Sequence, residues 1–314
     1  MSFGNIIGHE LIKEQIQNSI ETGNFSHAHL IIGEDGLGKS LIAKETTLKV
    51  LGRHENRRYV DIIEWRVLKN KQSIGVNEVR DIIKEVNKKP YEGDKKVIIV
   101  YEAHKMTMEA QNAFLKTIEE PPKGVTIILL SESLELVLET IRSRCQIHKL
   151  RRLNDKEIEA YILREYSDIE KEQIKSVTAF SEGIPGRCKI FLEDDSFKEI
   201  RNIILKILFT VYKKQPSKIK EYESFFYKYK DQWNEILNCF ISYIRDIMIY
   251  KDIGKKEIVI NSDKIEDLIE LSNIYSFKKL NKIVDIITET REKLDRRVNS
   301  ILVFDLMLLK MQEV

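Results

Sequence analysis

Residues 33–40 read Gly-Glu-Asp-Gly-Leu-Gly-Lys-Ser and match the pattern G-x-x-x-x-G-K-[ST] in full. This stretch follows the apolar run 29–32 and leads into a segment of helical period, 39–51, so it predicts a tight turn between a strand and a helix. Glycines let successive backbone N–H groups converge on one anion, and the start of a helix adds unsatisfied donors and a positive dipole end. The stretch therefore predicts a phosphate-binding turn built from Gly33, Gly36, Gly38, Lys39 and Ser40.

The first 150 residues alternate short apolar runs with segments of helical period, a pattern typical of a parallel α/β sheet. Between the runs, apolar residues recur every three or four positions, as on one face of a helix. One of these helices is expected to stop at Pro121 and Pro122, because proline cannot continue a helix. Five runs predict strands: 29–32, 59–67, 97–100, 125–130 and 146–150.

Beyond residue 150 the pattern is helical throughout. Short helical segments from 154 to about 194 are broken at Gly183-Ile184-Pro185-Gly186, and nearly everything from 196 onward has helical period. The chain is therefore predicted to combine an α/β domain, 1–150, containing a five-stranded parallel sheet, with a small helical domain, 151–194, and an all-α domain, 195–314.

Composition excludes several classes of protein. The chain of 314 residues carries 52 Lys and Arg against 50 Asp and Glu, so it is not broadly cationic, and 42% hydrophobic residues are enough to build cores. The sequence shows neither an apolar run long enough to span a bilayer nor a secretory signal at its start. Three widely spaced cysteines argue against a disulfide framework. We therefore expect a soluble, cytoplasmic, multidomain protein.

Hydrolysis of a nucleotide needs more than a phosphate-binding turn. Lys39 is expected to reach the β- and γ-phosphates, and the Ser40 hydroxyl to bind Mg²⁺. P-loop ATPases usually end a second strand with an acidic pair, but here that position reads Tyr101-Glu102-Ala103-His104, so Glu102 is the only acid left. A neutral phenol is a poor magnesium ligand, so we expect a weak metal site and slow or absent hydrolysis by this chain alone. His104 is interpreted as a structural residue.

Five strings of residues together resemble the clamp-loader branch of the AAA+ ATPases. Two of them, LKTIEEPP at 115–122 and IRSRC at 141–145, are much more specific to that branch than the phosphate-binding turn is. The others are FGNIIGHE at 3–10, the turn itself and YEAH at 101–104. The detailed resemblance runs from about residue 3 to 190, and beyond that it rests on length and helical character.

The resemblance implies an AAA+ nucleotide-binding domain, a helical lid and a helical collar that assembles into a five-membered ring. It implies ATP or ADP as the ligand, and Arg144 as an arginine finger that reaches the nucleotide of a neighbouring subunit. The chain departs from the motor subunits at Tyr101, and at Gly186, where those subunits carry a nucleotide-sensing arginine. Many relatives also bind zinc after the phosphate-loop helix, but residues 52–58 are short and contain no cysteine, so no zinc is expected.

Three hypotheses follow for the function. The first is a non-motor ring subunit that binds nucleotide and lends Arg144 to its neighbour. Its partners would be the tau/gamma motor subunits and a delta subunit, with the sliding clamp and primer–template DNA reached through the complex. The second is an ATP-hydrolysing motor subunit, against which Tyr101 and Gly186 both count. The third is a small-molecule kinase or transferase, supported only by the shared phosphate-binding turn.

Direct contact with DNA is the least defined part of the prediction. The basic residues Lys88-Lys89, Lys95-Lys96 and Arg53, Arg57 and Arg58 are interpreted as solvated surface. DNA binding is expected through the assembled ring, by contacts to backbone phosphates. No clustered acids suggest a two-metal polymerase or nuclease site, so any polymerase activity would belong to the DNA polymerase III holoenzyme.

Overall fold

The computed structural model describes residues 3–53, 57–68, 71–214, 216–296 and 298–314. The chain forms two compact units, one of Met1–Glu165 with Glu182–Gly186, the other of Tyr166–Ser181 with Arg187–Val314. Among the described residues, no helix is both long and apolar enough to cross a membrane. The division into three domains at residues 150 and 195 stays a prediction.

A five-stranded parallel sheet forms the centre of the first unit, which confirms the predicted fold class. Its order is β2-β3-β4-β1-β5, and every pairing between neighbouring strands is parallel. The strands are β1 (Ala28–Ile32), β2 (Ile62–Trp65), β3 (Lys96–Val100), β4 (Val125–Ser131) and β5 (Gln146–Lys149).

The predicted strand 59–67 is wrong at both ends, because β2 comprises only Ile62–Trp65. Tyr59 lies in the preceding segment, and the buried carboxylate of Asp61 accepts hydrogen bonds from the N–H groups of Tyr91 and Glu92 at 2.6 and 2.7 Å. Asp61 therefore ties two loops together instead of extending the strand.

Helices cover both faces of this sheet. Alternate strand residues point to opposite sides, so Leu30 and Ile98 contribute to one core while Ile31 and Ile99 contribute to the other. The first unit contains α1 (Glu10–Glu21), α2 (Lys39–Val50), α3 (Val76–Val86), α4 (Met108–Glu119), α5 (Glu139–Arg142) and α6 (Asp155–Glu165). Because all strands run the same way, the turns after β1, β3 and β4 meet at one edge of the sheet, where ligands of such folds bind.

The second unit is helical. Its core is formed by apolar residues at helical spacing, among them Ile200, Ile204, Phe240 and Ile247, all fully buried. Its elements are α7 (Lys171–Ser181), α8 (Pro185–Glu193), α9 (Asp195–Tyr212), α10 (Glu223–Lys228), α11 (Trp233–Ile253), α12 (Ile265–Ile274), α13 (Phe277–Asp295) and α14 (Ser300–Glu313). The first two residues of α8, Pro185 and Gly186, pack with the first unit.

Candidate nucleotide site

The P-loop, residues 33–40, connects β1 to α2 as predicted. Gly36 and Gly38 have φ angles of +85° and +93°, which side-chain-bearing residues rarely adopt. Helix α2 begins at Lys39 without a side-chain cap on its first turn. Its first N–H groups therefore lack a side-chain cap at the place where a phosphate would sit.

Lys39 folds back onto this loop. Its Nζ donates hydrogen bonds to the carbonyl oxygens of Gly33 at 2.7 Å and Glu34 at 2.9 Å. Burial lowers the pKa of Lys39, while the nearby carboxylates of Asp35, Glu132 and Glu34 act in the opposite direction. An anionic phosphate would compete for this ammonium with two neutral carbonyls, and charge-assisted bonds are the stronger kind.

A cavity of about 270 Å³ opens beside the P-loop. Its walls come from the N-terminal segment, the P-loop, α6 and the start of α8. They include Asn5, Ile6, Ile7, Asp35, Gly36, Leu37, Gly38, Lys39, Ser40, Leu41, Tyr161, Arg164, Pro185 and Gly186. The sequence did not predict that the N-terminal segment and α6 form a wall of the P-loop cavity, because no phosphate-binding motif extends to these residues.

Two cations hold the N-terminal wall of this cavity. The buried Lys13 Nζ donates to the carbonyl of Ile6 at 2.6 Å, and Arg164 Nη1 donates to the carbonyl of Asn5 at 2.6 Å. Because these bonds go to backbone oxygens, they fix the course of the segment whatever its side chains are.

The start of α8 closes directly onto the P-loop. The Gly186 N–H donates to the carbonyl of Gly36 at 3.0 Å. A Cβ at Gly186 would lie 2.6 Å from the Cα of Gly36, and a Cβ at Gly36 would lie 3.1 Å from the Cα of Gly186. A side chain therefore does not fit at Gly186, the position at which the resemblance to the motor subunits would place an arginine.

A second link joins the P-loop to the segment that follows β5. Arg152 makes two hydrogen bonds to the Glu34 carboxylate, at 2.6 and 2.7 Å, and lies 3.7 Å from the Glu182 carboxylate. Both ends of this exposed bridge belong to the first unit. The sequence offered no sign of it, because these residues are far apart in the chain.

Tyr101 is buried at the end of β3, with 3% of its surface exposed. Its hydroxyl donates a hydrogen bond to Glu64 Oε2 at 2.8 Å, and the guanidinium of Arg66 lies 3.4 Å from the ring centre. Burial raises the pKa of Tyr101, and the Glu64 carboxylate raises it further. The phenol therefore stays neutral and is engaged by Glu64 on β2, so it adds no anionic ligand for Mg²⁺.

Glu102 is the surviving acid at this strand end. It has a φ of +51°, and its carboxylate forms an ion pair with Lys105. His104 follows it and accepts a hydrogen bond from the Glu132 N–H at 3.4 Å, and burial lowers its pKa. Two residues at this edge of the sheet could hold Mg²⁺. Ser40 lines the P-loop cavity, and the Glu102 carboxylate is paired with Lys105.

Arg144 lies after the short helix α5. Its guanidinium pairs with the Glu119 carboxylate at 3.1 and 3.2 Å and donates to the carbonyl of Thr140 at 3.0 Å. Glu119 belongs to the string 115–122, so the fold brings together the two most family-specific strings. Arg144 does not line the P-loop cavity of its own chain, and its role as an arginine finger stays a prediction.

Metal ligands are not gathered elsewhere in the part of the chain that the structure describes. No group of three or more His, Cys, Asp or Glu side chains there is arranged to hold a metal ion. The expectation of no zinc concerned residues 52–58, of which 54–56 lie outside the described residues, so it remains a prediction. Lys96, interpreted from sequence as solvated, is instead buried and donates to the carbonyls of Glu85 and Lys88 at 3.2 and 2.8 Å.

Two family models match the chain. Residues 8–154 match the model described as DNA polymerase III, delta subunit, and residues 195–313 match the model of its C-terminal region. The parallel sheet, with a P-loop between β1 and α2, defines a P-loop α/β fold. Within that class, the chain belongs to the clamp-loader family of DNA polymerase III subunits.

Individual relatives come from more than one type of subunit. The tau subunit of Bacillus subtilis is 26% identical over 330 residues, covering 93% of this chain but only 58% of that protein. The delta' subunit of the same organism is 23% identical over 320 residues, covering 96% of this chain and 95% of that protein. The chain thus spans little more than half of the tau relative and nearly all of the delta' relative.

Among solved structures, a DNA polymerase III gamma subunit-related protein of Thermotoga maritima aligns over 95% of this chain and 99% of its own. The identity is 18% and the TM-score is 0.48.

Proposed function

We propose that this chain is the delta prime type of ring subunit in a bacterial clamp loader. It binds ATP or ADP at the P-loop, hydrolyses little of it alone, and supplies Arg144 to the nucleotide of a neighbouring subunit. Its partners are tau/gamma motor subunits and a delta subunit, and the assembled ring loads the sliding clamp onto primer–template DNA in the cytoplasm at the replication fork. One observation carries the proposal: the phosphate cradle is complete, whereas the buried Tyr101 hydroxyl is committed to Glu64.

This arrangement favours nucleotide binding without nucleotide hydrolysis. Nucleotide affinity at a P-loop comes mostly from backbone N–H groups and one lysine, all of which are present here. Hydrolysis requires charge stabilisation and an oriented water as well, and the end of β3 supplies a neutral phenol and a carboxylate paired with Lys105. When nucleotide is bound, Mg²⁺ would be held by Ser40 and by the phosphates themselves.

The geometry of Arg144 supports a role in trans. A guanidinium is planar and always charged, and it can contact two phosphate oxygens at once. The ion pair with Glu119 and the bond to the Thr140 carbonyl hold the side chain while a third of it stays exposed. Glu119 would keep the guanidinium in position until a neighbouring γ-phosphate competes for it.

A second candidate is an ATP-hydrolysing motor subunit of the tau/gamma type. The complete P-loop and the match to tau over 93% of this chain favour it. It requires the purified chain to turn over ATP with Lys39 as an essential residue.

ATP turnover by a reconstituted ring separates the two candidates. The chain is combined with motor and delta subunits, clamp and primed DNA, as wild type, Arg144→Ala, Lys39→Ala or Arg142→Ala. Arg144→Ala is expected to slow turnover at one boundary by about 10³-fold, reducing the total by that site's share. Arg142→Ala, two residues away on α5, is the matched control and should behave as wild type.

Lys39→Ala should have a small effect on ring turnover in the delta prime role. Brisk ATP hydrolysis by the purified chain, abolished by Lys39→Ala, would establish the motor role instead. Equal turnover in the Arg144→Ala and Arg142→Ala rings would disprove the arginine finger.

A further inference from the structure

A second cavity lies on the flank of α2, apart from the P-loop cavity. Its volume is about 550 Å³, within the range of small-molecule sites. It is lined by Lys44, Thr47, Leu48, Arg57, Arg58, Tyr59, Ile62 and Glu64. None of these residues lines the P-loop cavity, although Lys44 is only one turn beyond Ser40 on the same helix.

Cationic side chains dominate the rim of this cavity. Lys44, Arg57 and Arg58 contribute three positive charges against the single negative charge of Glu64. Glu64 is already engaged, since it accepts the Tyr101 hydroxyl at 2.8 Å and lies 3.6 Å from both Lys44 and Arg66. The cavity therefore presents mostly donors, and its complement is a ligand with several anionic oxygens.

The floor is apolar and aromatic. Leu48 and Tyr59 are each 6% exposed, and the Thr47 hydroxyl is turned inward to the Ala43 carbonyl at 2.8 Å. The guanidinium of Arg57 lies 4.6 Å from the Tyr59 ring centre. A compound that has both an aromatic or aliphatic part and phosphate groups fits this cavity, because the first can pack on the apolar floor and the second can bind the cationic rim.

We propose that this cavity is a second anion site, which binds a small phosphate-bearing molecule independently of the P-loop. The same chemistry could be offered by the backbone of a nucleic acid. The apolar floor formed by Leu48 and Tyr59 favours a small molecule, because binding to a nucleic acid backbone rests mainly on contacts to its phosphates and needs no such floor. The basic residues 57 and 58 would then be binding residues, not merely solvated surface.

Calorimetric titration of the Lys39→Ala chain with inorganic pyrophosphate tests this site after the P-loop has lost its lysine. Adding Lys44→Ala and Arg58→Ala is expected to weaken binding at least about tenfold, because two charge-assisted contacts are lost. The matched control adds Arg80→Ala and Lys89→Ala, which remove the same charge from exposed positions of the same unit. Its affinity should stay within about twofold of the Lys39→Ala chain.

Acetylation locates the bound anion without relying on a variant's affinity. Pyrophosphate should protect Lys44 from acetic anhydride and leave Lys89 reactive. No binding at millimolar pyrophosphate, equal affinities of the two charge-removal variants, or no protection of Lys44 would overturn the proposal. So would tight binding of a short oligothymidylate that depends on Lys44 and Arg58 when pyrophosphate does not bind, since the site would then serve a nucleic acid backbone.

Discussion

Tyr101 shows how a single residue changes the chemistry at a strand end. Val100 pairs with Trp65 in the parallel ladder, so Arg66 comes level with Tyr101 and stacks on its ring. The Tyr101 hydroxyl donates a hydrogen bond to Glu64 on the neighbouring strand β2.

Gly186 offers a residue-level test of the contact between α8 and the P-loop. In Gly186→Ala, the added Cβ would lie 2.6 Å from the Cα of Gly36, and the P-loop must move to avoid it. Nucleotide affinity, measured by titration with a fluorescent ATP analogue, is expected to fall about tenfold, a cost of about 1.4 kcal/mol.

Gly93→Ala is the control for this experiment, because a Cβ at Gly93 meets nothing within 4 Å. It should bind the analogue as tightly as wild type. If Gly186→Ala did so too, the contact would have no bearing on the phosphate cradle.

At the scale of elements, the sequence was sufficient to find the five strands and the turn between β1 and α2. Apolar runs mark buried strands directly, and the P-loop motif carries its own strand–turn–helix context. The strand order β2-β3-β4-β1-β5 could not be predicted in this way. The apolar pattern of a sequence shows which residues are buried, but it does not show which strands pair with each other. The hydrogen bond between Tyr101 and Glu64 depends on that strand order and on the register of β2 and β3. The sequence therefore predicted that Tyr101 is a poor metal ligand, but not that its hydroxyl is bonded to Glu64.

The pairing of β1 with β5 contains a buried pair of histidines. His29 Nδ1 and His148 Nε2 lie 3.0 Å apart, and the Phe25 ring stacks on His29. Burial lowers the pKa of His29 to about 3 and that of His148 to about 4, from an ordinary 6.5. Both rings are therefore neutral in the folded protein, and one of them donates to the other.

These pKa values predict how stability depends on pH. Below pH 6.5 the two imidazoles bind protons in the unfolded chain but stay neutral in the folded protein. The free energy of unfolding therefore falls as the pH is lowered to about 4. Each imidazole contributes about 1.4 kcal/mol per pH unit. Urea unfolding of His29→Phe/His148→Leu between pH 4 and 6.5 should show a shallower fall than wild type.

The exposed His27 provides the control for the histidine pair. His27→Gln should keep the slope of wild type, since that ring is exposed in the folded state. A double variant with an unchanged slope would mean that other groups govern the acid sensitivity.

At the scale of the whole molecule, the second unit depends on polar contacts within an otherwise apolar core. Arg201 is 5% exposed, pairs with both oxygens of Asp263 at 2.9 and 2.7 Å, and donates to Asn261 at 3.1 Å. Asn261 is held in turn by the fully buried Asp246 at 2.7 Å. This network fixes the segment before α12 against α9 and α11.

Breaking this network on one side should destabilise the second unit. Asp263→Asn leaves the Arg201 charge without its counter-ion and is expected to cost about 3 kcal/mol in the free energy of unfolding. Arg201→Met/Asp263→Leu should recover much of the loss, because the buried guanidinium is removed together with its counter-ion. Lys198→Gln, which removes an exposed ion pair with Asp195, is the control and should unfold almost as wild type does. A loss in the double variant as large as in Asp263→Asn would contradict this account.

The chain passes between its two units three times, since Glu182–Gly186 belongs to the P-loop unit while the residues on either side belong to the other. A fragment that ends after Glu165 would lack the Gly186 N–H bound to Gly36 and the Glu182 carboxylate near Arg152. During synthesis on the ribosome, the phosphate cradle thus remains unfinished until residue 186 has left the exit tunnel. The P-loop unit is therefore not one continuous stretch of sequence, and its last residues are synthesised after the first segment of the second unit.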